Sequence, residues 1–454
     1  LIGIKERGRD SREDTVVRIA FVAANREVLP DPVIPLGLLS VLEACPSTHE
    51  RLFLDLCFEP EPERALRDFV REQKPELVAL SLRNLQSADY SDAHSNVQAY
   101  ARLVAAVREV SEAPVVLGGG GYSLMPEALL ERLGADFGVA GEGEVVFPAL
   151  VEALTTGGDT AEVAGLYRRV EGRAHAPRTM PPFVDLATLK FVSRRRVDRR
   201  HYAASGIESV QTKRGCPLHC SYCTYPTIEG HQSRLRPPSH VADELQHIRL
   251  EAPEVDHFFV VDSVFNQPRR HALAVSDAVA ERGIDLPWTC YANPLGFDGE
   301  LAEHMVAAGC VGIEVGSDSG SDTVLEKLGK SFDAAAIREA HRVAEGAGLL
   351  DCHTFLLGTP GETLDEVKRS LDFIVDLAPS AAILMVWNDD AEALVPPSAS
   401  PRTELRQSIL DLLSAQAASQ GRWVVPPLGK RFDARRFSLL RRRGLSGPLW
   451  QHLG

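Results

Sequence analysis

Short apolar runs rich in β-branched residues alternate with longer amphipathic runs twice along this chain, and that alternation restricts the fold more than any other feature. In the first half, strand-like runs Val16 to Ala24, Leu52 to Leu56, Leu77 to Leu82, Pro114 to Leu117 and Phe137 to Ala140 take turns with helix-like runs. The helix-like runs are Ile34 to Glu43, Glu61 to Arg71, Val97 to Val110, Pro126 to Leu133 and Glu144 to Leu154. Such a pattern predicts a mostly parallel sheet covered on both faces. Between Thr156 and Val197 the text changes. A hairpin-like piece, Gly165 to His175, leads through prolines to the basic run Arg194 to Arg200, which reads as a connector. From Ile207 the rhythm resumes with strands Ile207 to Thr212, His257 to Asp262, Pro287 to Tyr291, Val311 to Gly316, Leu350 to Leu357 and Ile383 to Trp387. Helices are expected near Val241 to Ile248, Arg270 to Arg282, Asp298 to Ala308, Phe332 to Ala347 and Thr363 to Leu377. Six βα units fall short of a closed eightfold barrel and predict an open, partial one, with chemistry at the strands' C-terminal ends. The expected units are an α/β domain over 1–155, a connector over 156–205, a partial (β/α)6 barrel over 206–395 and a small, mainly helical element over 396–454.

Composition narrows the function classes. A formal charge of -14 with a pI near 5.5 argues against a nucleic-acid binder, which needs a concentrated basic face. No run is long and apolar enough to span a bilayer, and Leu1 to Arg18 is charged rather than signal-like, so a soluble cytoplasmic protein is expected. Of eight cysteines, five (Cys45, Cys57, Cys290, Cys310, Cys352) stand alone in apolar surroundings and read as small buried hydrophobes. The other three form Cys216-Pro-Leu-His-Cys220-Ser-Tyr-Cys223, directly after the first strand of the second half. Paired CxxC units for tetrahedral zinc are lacking, and ligation by His219 beside Cys220 would be awkward. Clustered thiolates select soft metals and iron–sulfur clusters, and three protein ligands to four irons leave one iron open to a small molecule. Zinc or three inert cysteines are the alternatives. Lys213 and Arg214 would offset the charge, and Gly215 and Pro217 would shape the loop. Other polar groups stand where strands end: Asp262, Ser263 and Asn266, then Glu314, Ser317, Asp318 and Ser319. Asp262 and Glu314 could equally be helix caps or salt-bridge partners. The glycine run Gly118 to Gly121 also follows a strand, where a bulky ligand can approach the backbone. It is neither GxGxxG nor followed by a Walker lysine, and a bare tight turn is the competing reading.

The cysteine spacing resembles the hallmark of the radical S-adenosylmethionine (SAM) enzymes. Three further stretches are similar to that family's signatures: Val261-Asp-Ser-Val-Phe-Asn266, Glu314-Val-Gly-Ser-Asp-Ser-Gly320 and Gly358-Thr-Pro-Gly-Glu362. The resemblance covers roughly Gln211 to Leu377. It implies a [4Fe-4S] cluster on Cys216, Cys220 and Cys223, and SAM bound by Tyr222, Asp262, Ser263, Asn266, Glu314, Ser317, Asp318 and Ser319. In that family the reduced cluster cleaves SAM to a 5'-deoxyadenosyl radical, which implies an external one-electron reductant of the flavodoxin or ferredoxin type.

The first half resembles the Rossmann-like cobalamin-binding domain that precedes the radical barrel in a large subgroup of these enzymes. The likeness rests on Pro35-Leu36-Gly37, Ser81-Leu-Arg83-Asn84, Gly118-Gly119-Gly120 and Gly141-Glu142-Gly143, and these residues are the implied cobalamin contacts. Glu144 could also accept a hydrogen bond. The D-x-H-x-x-G motif that gives cobalt a histidine is missing, since the chain reads Asp55-Leu-Cys57-Phe-Glu59 there. Arg83 cannot shed its proton to become a ligand. Pressed near the lower face it would keep cobalt weakly coordinated, as suits moving methyl groups. The resemblance thus implies methylation of an unactivated carbon or other poorly nucleophilic centre of a small metabolite or peptide, with methylcobalamin as methyl carrier. Cyclisation, ring contraction or cyclopropanation without net methylation is the alternative. Tyr291, Asn293, Trp387, Asn388 and Asp389 are the expected pocket, and a monomer without nucleic-acid or membrane partners is expected.

Overall fold

The computed structural model describes residues 16–86, 95–387 and 402–453. Its first sheet comprises β1 (Arg18–Ala23), β2 (Glu50–Asp55), β3 (Leu77–Ser81), β4 (Val115–Gly118), β5 (Phe137–Val139), β6 (Leu166–Val170) and β7 (Arg173–His175). The order is β2-β1-β3-β4-β5-β6-β7, parallel through β5. Successive side chains on a strand point to opposite faces. Ile19 and Phe21 therefore pack under helices Leu36–Ala44 and Gly143–Thr156, while Ala20 and Val22 pack under Pro62–Gln73, Val97–Arg108 and Pro126–Leu133. Because β2 and β3 flank β1 on opposite sides, their connections diverge and leave a crevice at the carboxyl ends, where such sheets bind ligands.

Two expectations are corrected here. The hairpin β6–β7 pairs antiparallel with β5, so the first sheet runs to His175 and the connector begins after it rather than at 156. β7 is the edge strand and β6 its neighbour; Leu166 alone is fully buried in the pair, and their arginine-rich text looks like surface. Within the glycine run, Gly120–Leu124 is a helical turn rather than open loop.

The connector's basic run fastens the two halves together. Arg194 has no exposed surface; it donates to Glu244 (3.0 Å) and to the carbonyls of Val192 (2.6 Å) and Ser209 (3.0 Å). A buried guanidinium is tolerable only with partners of this kind. Arg199 meets Glu208 and Glu254, Arg196 meets Glu43, and the Tyr202 hydroxyl donates to Asp55 in the first domain.

The second half builds β8 (Ile207–Val210), a small antiparallel pair β9 (Lys213–Arg214) and β10 (Arg234–Leu235), then β11 (His257–Val260), β12 (Trp288–Ala292), β13 (Cys310–Asp318), β14 (Leu350–Leu357), β15 (Ala381–Val386) and β16 (Trp423–Val424). Its large sheet runs β8-β11-β12-β13-β14-β15-β16, all parallel and in chain order, as an open barrel must. Six strands were expected; β16 adds a short seventh, so the mainly helical C-terminal element also lends a strand to the sheet. Cys290, Ile313 and Val315 face the outer helices Arg269–Glu281 and Gly299–Ala307. Tyr291, Glu314 and Cys352 are in register on the opposite, inner face. The C-terminal segment crosses that face: Trp450 packs on Cys352, and the Gly447 amide donates to the Ser205 carbonyl. Arg441, from the expected basic tail, pairs with Asp31 of the first domain at 2.7 Å to each carboxylate oxygen. Among the described residues no helix is long and apolar enough to cross a membrane.

Candidate active site

The carboxyl ends of the two sheets meet. Ile228, in the short helix Tyr225–Glu229 after the cysteine loop, approaches Gly120, and its carbonyl lies beside Gly141. Arg83 projects exposed from the end of β3 and acts electrostatically on both Tyr225 and Tyr291 of the second domain.

The cysteine loop is braced at both ends. Gly215 has φ of +84°, and a β-carbon there would stand 2.1 Å from the Gln232 carbonyl oxygen, so glycine is required. The Cys216 amide donates to the Gly230 carbonyl (3.1 Å), and the Glu229 carboxylate accepts from the Gly215 amide (3.1 Å). Cys216 is buried, while Cys220 and Cys223 are partly open. Burial, and the other sulfurs of the loop, push the Cys220 and Cys223 thiols up, whereas Lys330 pulls both down. Three free thiols on one eight-residue loop, none in a disulfide, are the donor types that a thiophilic metal centre needs.

The residues expected to hold SAM divide into braces and free groups. Asp262 is fully spent: it accepts from the Thr212 amide (2.7 Å), the Thr212 hydroxyl and the Lys213 amide (3.2 Å), and so fixes the strand end that launches the cysteine loop. Asn266 ties β12 to the β11 end through both the amide and carbonyl of Asn293. Ser317 is bonded to His353 (2.7 Å) and Ser319 to Ser370 (3.0 Å), both under the outer helices. Asp318 meets the Tyr222 hydroxyl and Lys330. The Ser263 hydroxyl is buried without a protein partner, an orphan that suits a polar ligand such as SAM at this strand end.

Sequence reasoning missed Lys330, which pairs with Asp318, donates to the Tyr222 hydroxyl (3.2 Å) and draws the Cys220 thiol down. Its only signal was a lone cation after the helix Asp322–Lys327. It missed Trp450 as well, whose Nε1 donates to Glu314 (2.7 Å) from more than a hundred residues away. Burial pushes Glu314 up to about 7, with the Trp450 bond opposing. A carboxyl whose pKa is raised on folding lends stability that is present below its ordinary 4.5 and lost as pH rises through about 7. Glu314→Gln is therefore expected to flatten the fall in denaturant midpoint across that window, measured against wild type at each pH.

A cavity of about 380 Å³ opens between the β1, β3 and β4 ends of the first domain and Tyr202, Gln211, Arg214, Tyr225 and Ile228 on the other side. Pro35, Leu36, Gly37, Ser81, Arg83, Gly118, Gly119, Gly120, Gly141, Glu142 and Gly143 line it. Asn84 does not, and its carbonyl accepts from the Tyr100 hydroxyl. Glu142, expected against a cofactor, instead gives Oε1 to Arg214 and Arg234 and Oε2 to the Val184 amide. The Asn25 amide nitrogen in the wall is buried and unpartnered, so the cavity has room and a spare donor for the polar tail of a corrin. Cys57 is no substitute for the missing histidine: burial pushes its thiol up to about 12.

Of the expected pocket residues, Tyr291 faces the interior beside Phe259, and Trp387 stands edge-on to Tyr222 at 6.3 Å. The Asn293 carboxamide oxygen accepts from the Leu295 amide and braces its own turn. Asn388 and Asp389 lie outside the described residues.

A crevice-bearing parallel domain joined to an open barrel, with a three-cysteine loop at their junction, defines a cobalamin-dependent radical SAM enzyme. Comparison with known proteins agrees. Residues 23–151 match the B12 binding domain and residues 210–374 the radical SAM superfamily. The tryptophan 2-C-methyltransferase of Streptomyces laurentii is 28% identical over 427 residues, spanning 79% of this chain and 70% of that protein. The hopanoid C-3 methylase of Methylococcus capsulatus is 28% identical over 261 residues, spanning 55% and 46%. The structure of the radical SAM methyltransferase TsrM from Kitasatospora setae, with cobalamin and a [4Fe-4S] cluster bound, superposes with a TM-score of 0.83 at 25% identity over 97% of each chain. The chain belongs to the cobalamin-dependent radical SAM methyltransferases, whose cofactors are the [4Fe-4S] cluster, SAM and cobalamin.

Proposed function

We propose that this enzyme methylates a carbon of a small aromatic molecule, an indole or related amino acid, held between the two sets of strand ends. The observation that supports the reading most is the makeup of that junction. Tyr291, Phe259, Trp387 and Tyr222 offer aromatic faces, while Arg83 and Glu314 supply the charged groups.

In this reading Cys216, Cys220 and Cys223 hold the cluster, and Tyr222, Ser263 and Glu314 face SAM. Pro35 to Gly37, Ser81, Arg83 and Gly118 to Gly120, which line the cavity, would hold the corrin. Once bound, these groups supply a low-potential electron, an activated methyl donor and a methyl carrier. The protein's share is positional. Asp262 and Asn266 set the strand ends, and the guanidinium of Arg83 in the cavity wall has no lone pair that it could offer to a metal. Replacing C–H by C–CH₃ releases a proton, and Glu314, with a pKa near neutrality, is the inner-face carboxyl suited to take it. The leucine-rich first helix and the arginine-stapled connector hold the two halves against each other at this junction. The enzyme works as a monomer in the reducing cytoplasm, fed by a flavodoxin- or ferredoxin-type donor; all eight cysteines are free, in keeping with that setting.

The test is anaerobic incubation of reconstituted protein with methyl-labelled SAM, a reductant and a panel of indoles, aromatic amino acids, and aliphatic and phosphonate acceptors. Label is expected in a product heavier than its parent by one CH₂. Transfer only to aliphatic or phosphonate acceptors would overturn the aromatic assignment, and SAM cleavage without label transfer to any acceptor would overturn methylation.

A further inference from the structure

The cysteine loop and the first domain's β5–Gly143 loop are joined by a buried ion network at the rim of the cavity, whose charges are spent on one another. Arg214 stands two residues before Cys216. Its guanidinium donates to Glu142 (3.1 Å) and Glu144 (2.6 Å), and its Nε donates to the Gln211 side chain (2.9 Å). Glu144 also accepts from the Ser40 hydroxyl (2.8 Å) on the first helix. Arg234, the β10 partner of Arg214 across the small hairpin, donates to the same Glu142 oxygen (2.7 Å) and to the Glu229 carbonyl (2.9 Å), with its guanidinium 4.2 Å from the Phe183 ring. The side chains of Arg214, Glu142 and Glu144 are exposed by only 10%, 8% and 4%. Two guanidiniums and two carboxylates therefore link the first helix, the loop at Gly141 to Gly143, the connector and both ends of the cysteine loop.

Burial of this sort is unfavourable for each ion alone and holds only while the partners stay in place. A two-pronged guanidinium also fixes direction, which a point charge does not. We propose that Arg214 is a positioning residue that sets the separation of the cluster and the corrin, by locking the strand that opens the cysteine loop onto the loop that borders the cobalamin cavity. The proposal rests on the cofactor placement given above. It goes beyond that placement in assigning Glu142 and Glu144 to the junction rather than to a cofactor.

A merely local role predicts that losing the network loosens one loop. A coupling role predicts that both loosen together and that methyl transfer falls while each cofactor still binds. Glu144→Gln, Glu142→Gln and Arg214→Lys would be compared with wild type. Hydrogen exchange in the apoprotein is the first readout. Glu144→Gln is expected to raise exchange at residues 141–146 and also at 213–216 and 234–236, and a rise confined to 141–146 would overturn the proposal whatever cofactors bind. In reconstituted enzyme, iron and corrin contents should match wild type. The microwave-power saturation of the Co(II) signal in the presence of reduced cluster should shift, because it depends on the distance between the two spins. Methyl product per SAM cleaved should fall about tenfold in Glu144→Gln, and should fall in Arg214→Lys as well, because a lysine cannot reach both carboxylates. Unchanged saturation and an unchanged product ratio would sink the coupling role. If wild-type protein takes up no corrin, the cofactor placement fails instead, and the exchange experiment still decides whether the two loops are locked.

Discussion

Cys223→Ala is expected to leave the protein folded but without its cluster, and to lower both SAM cleavage and methyl transfer by more than about 10³-fold, the scale on which removing one member of a catalytic unit acts. The fold should survive because the loop is held by other groups. The Glu229 carboxylate grips the Gly215 amide, the Cys216 amide bonds the Gly230 carbonyl, and the Ser221 amide bonds the Leu328 carbonyl. None of these contacts uses the Cys223 sulfur, which is only partly buried. Replacing a small, partly open side chain by alanine leaves little cavity, so the thermal midpoint should move by a few degrees at most. Iron and sulfide content, with visible absorption after anaerobic reconstitution, read the cluster. Circular dichroism reads the fold. Corrin uptake is a third, independent measurement, because the cobalamin cavity is walled mainly by the first domain. A variant that keeps its full iron and sulfide would overturn the assignment of Cys223 as a ligand. Loss of corrin together with iron would mean that the two sites assemble as one.

Much of this was legible in the sequence because it is local. Strand β14 and the helix Pro126–Leu133 fall where period alone places them, since each is a run of core residues bounded by its own breakers. The cysteine loop is likewise written in eight consecutive residues. What escaped is what distant segments supply to one another. Trp450 reaching Glu314, Arg441 reaching Asp31 and Arg194 reaching Glu244 have no spacing that a single sequence can display. The same holds for Asp262 and Glu142. Each is recognisable as a polar residue at a strand end, yet whether it serves a cofactor or the neighbouring backbone depends on which partners the fold brings within 3 Å. The hairpin β6–β7 was legible as a hairpin, but its docking onto β5 was not: its half-buried, arginine-rich text carries little period to mark it as part of the sheet.

The second large effect is expected from Gly120→Val, which should weaken corrin binding by about 1–3 kcal/mol, roughly ten- to hundredfold, while leaving the cluster intact. The choice among the glycines matters. Gly119 holds φ of +92°, and a β-carbon there would meet the Leu82 carbonyl oxygen at 2.6 Å, so any substitution deforms the β3–β4 junction and tests the fold rather than the cavity. A β-carbon on Gly120 meets nothing nearer than 3.7 Å, to the Arg83 carbonyl oxygen and the Ile228 methyl, and the backbone there is ordinary helix. Valine should therefore fold, with its two methyl groups added to a wall of the 380 Å³ cavity. Gly120→Ala serves as the graded control, since one methyl group at ordinary contact distance should cost a fraction of that. Because Ile228 follows the cysteine loop by only five residues, iron content must be measured on the same preparation. Retained iron with weakened corrin uptake, titrated by the cobalamin absorption bands, is the expected pair of results. Full-affinity corrin binding by Gly120→Val would mean that the tail lies elsewhere, and the glycine run would then be a tight turn required by the chain alone.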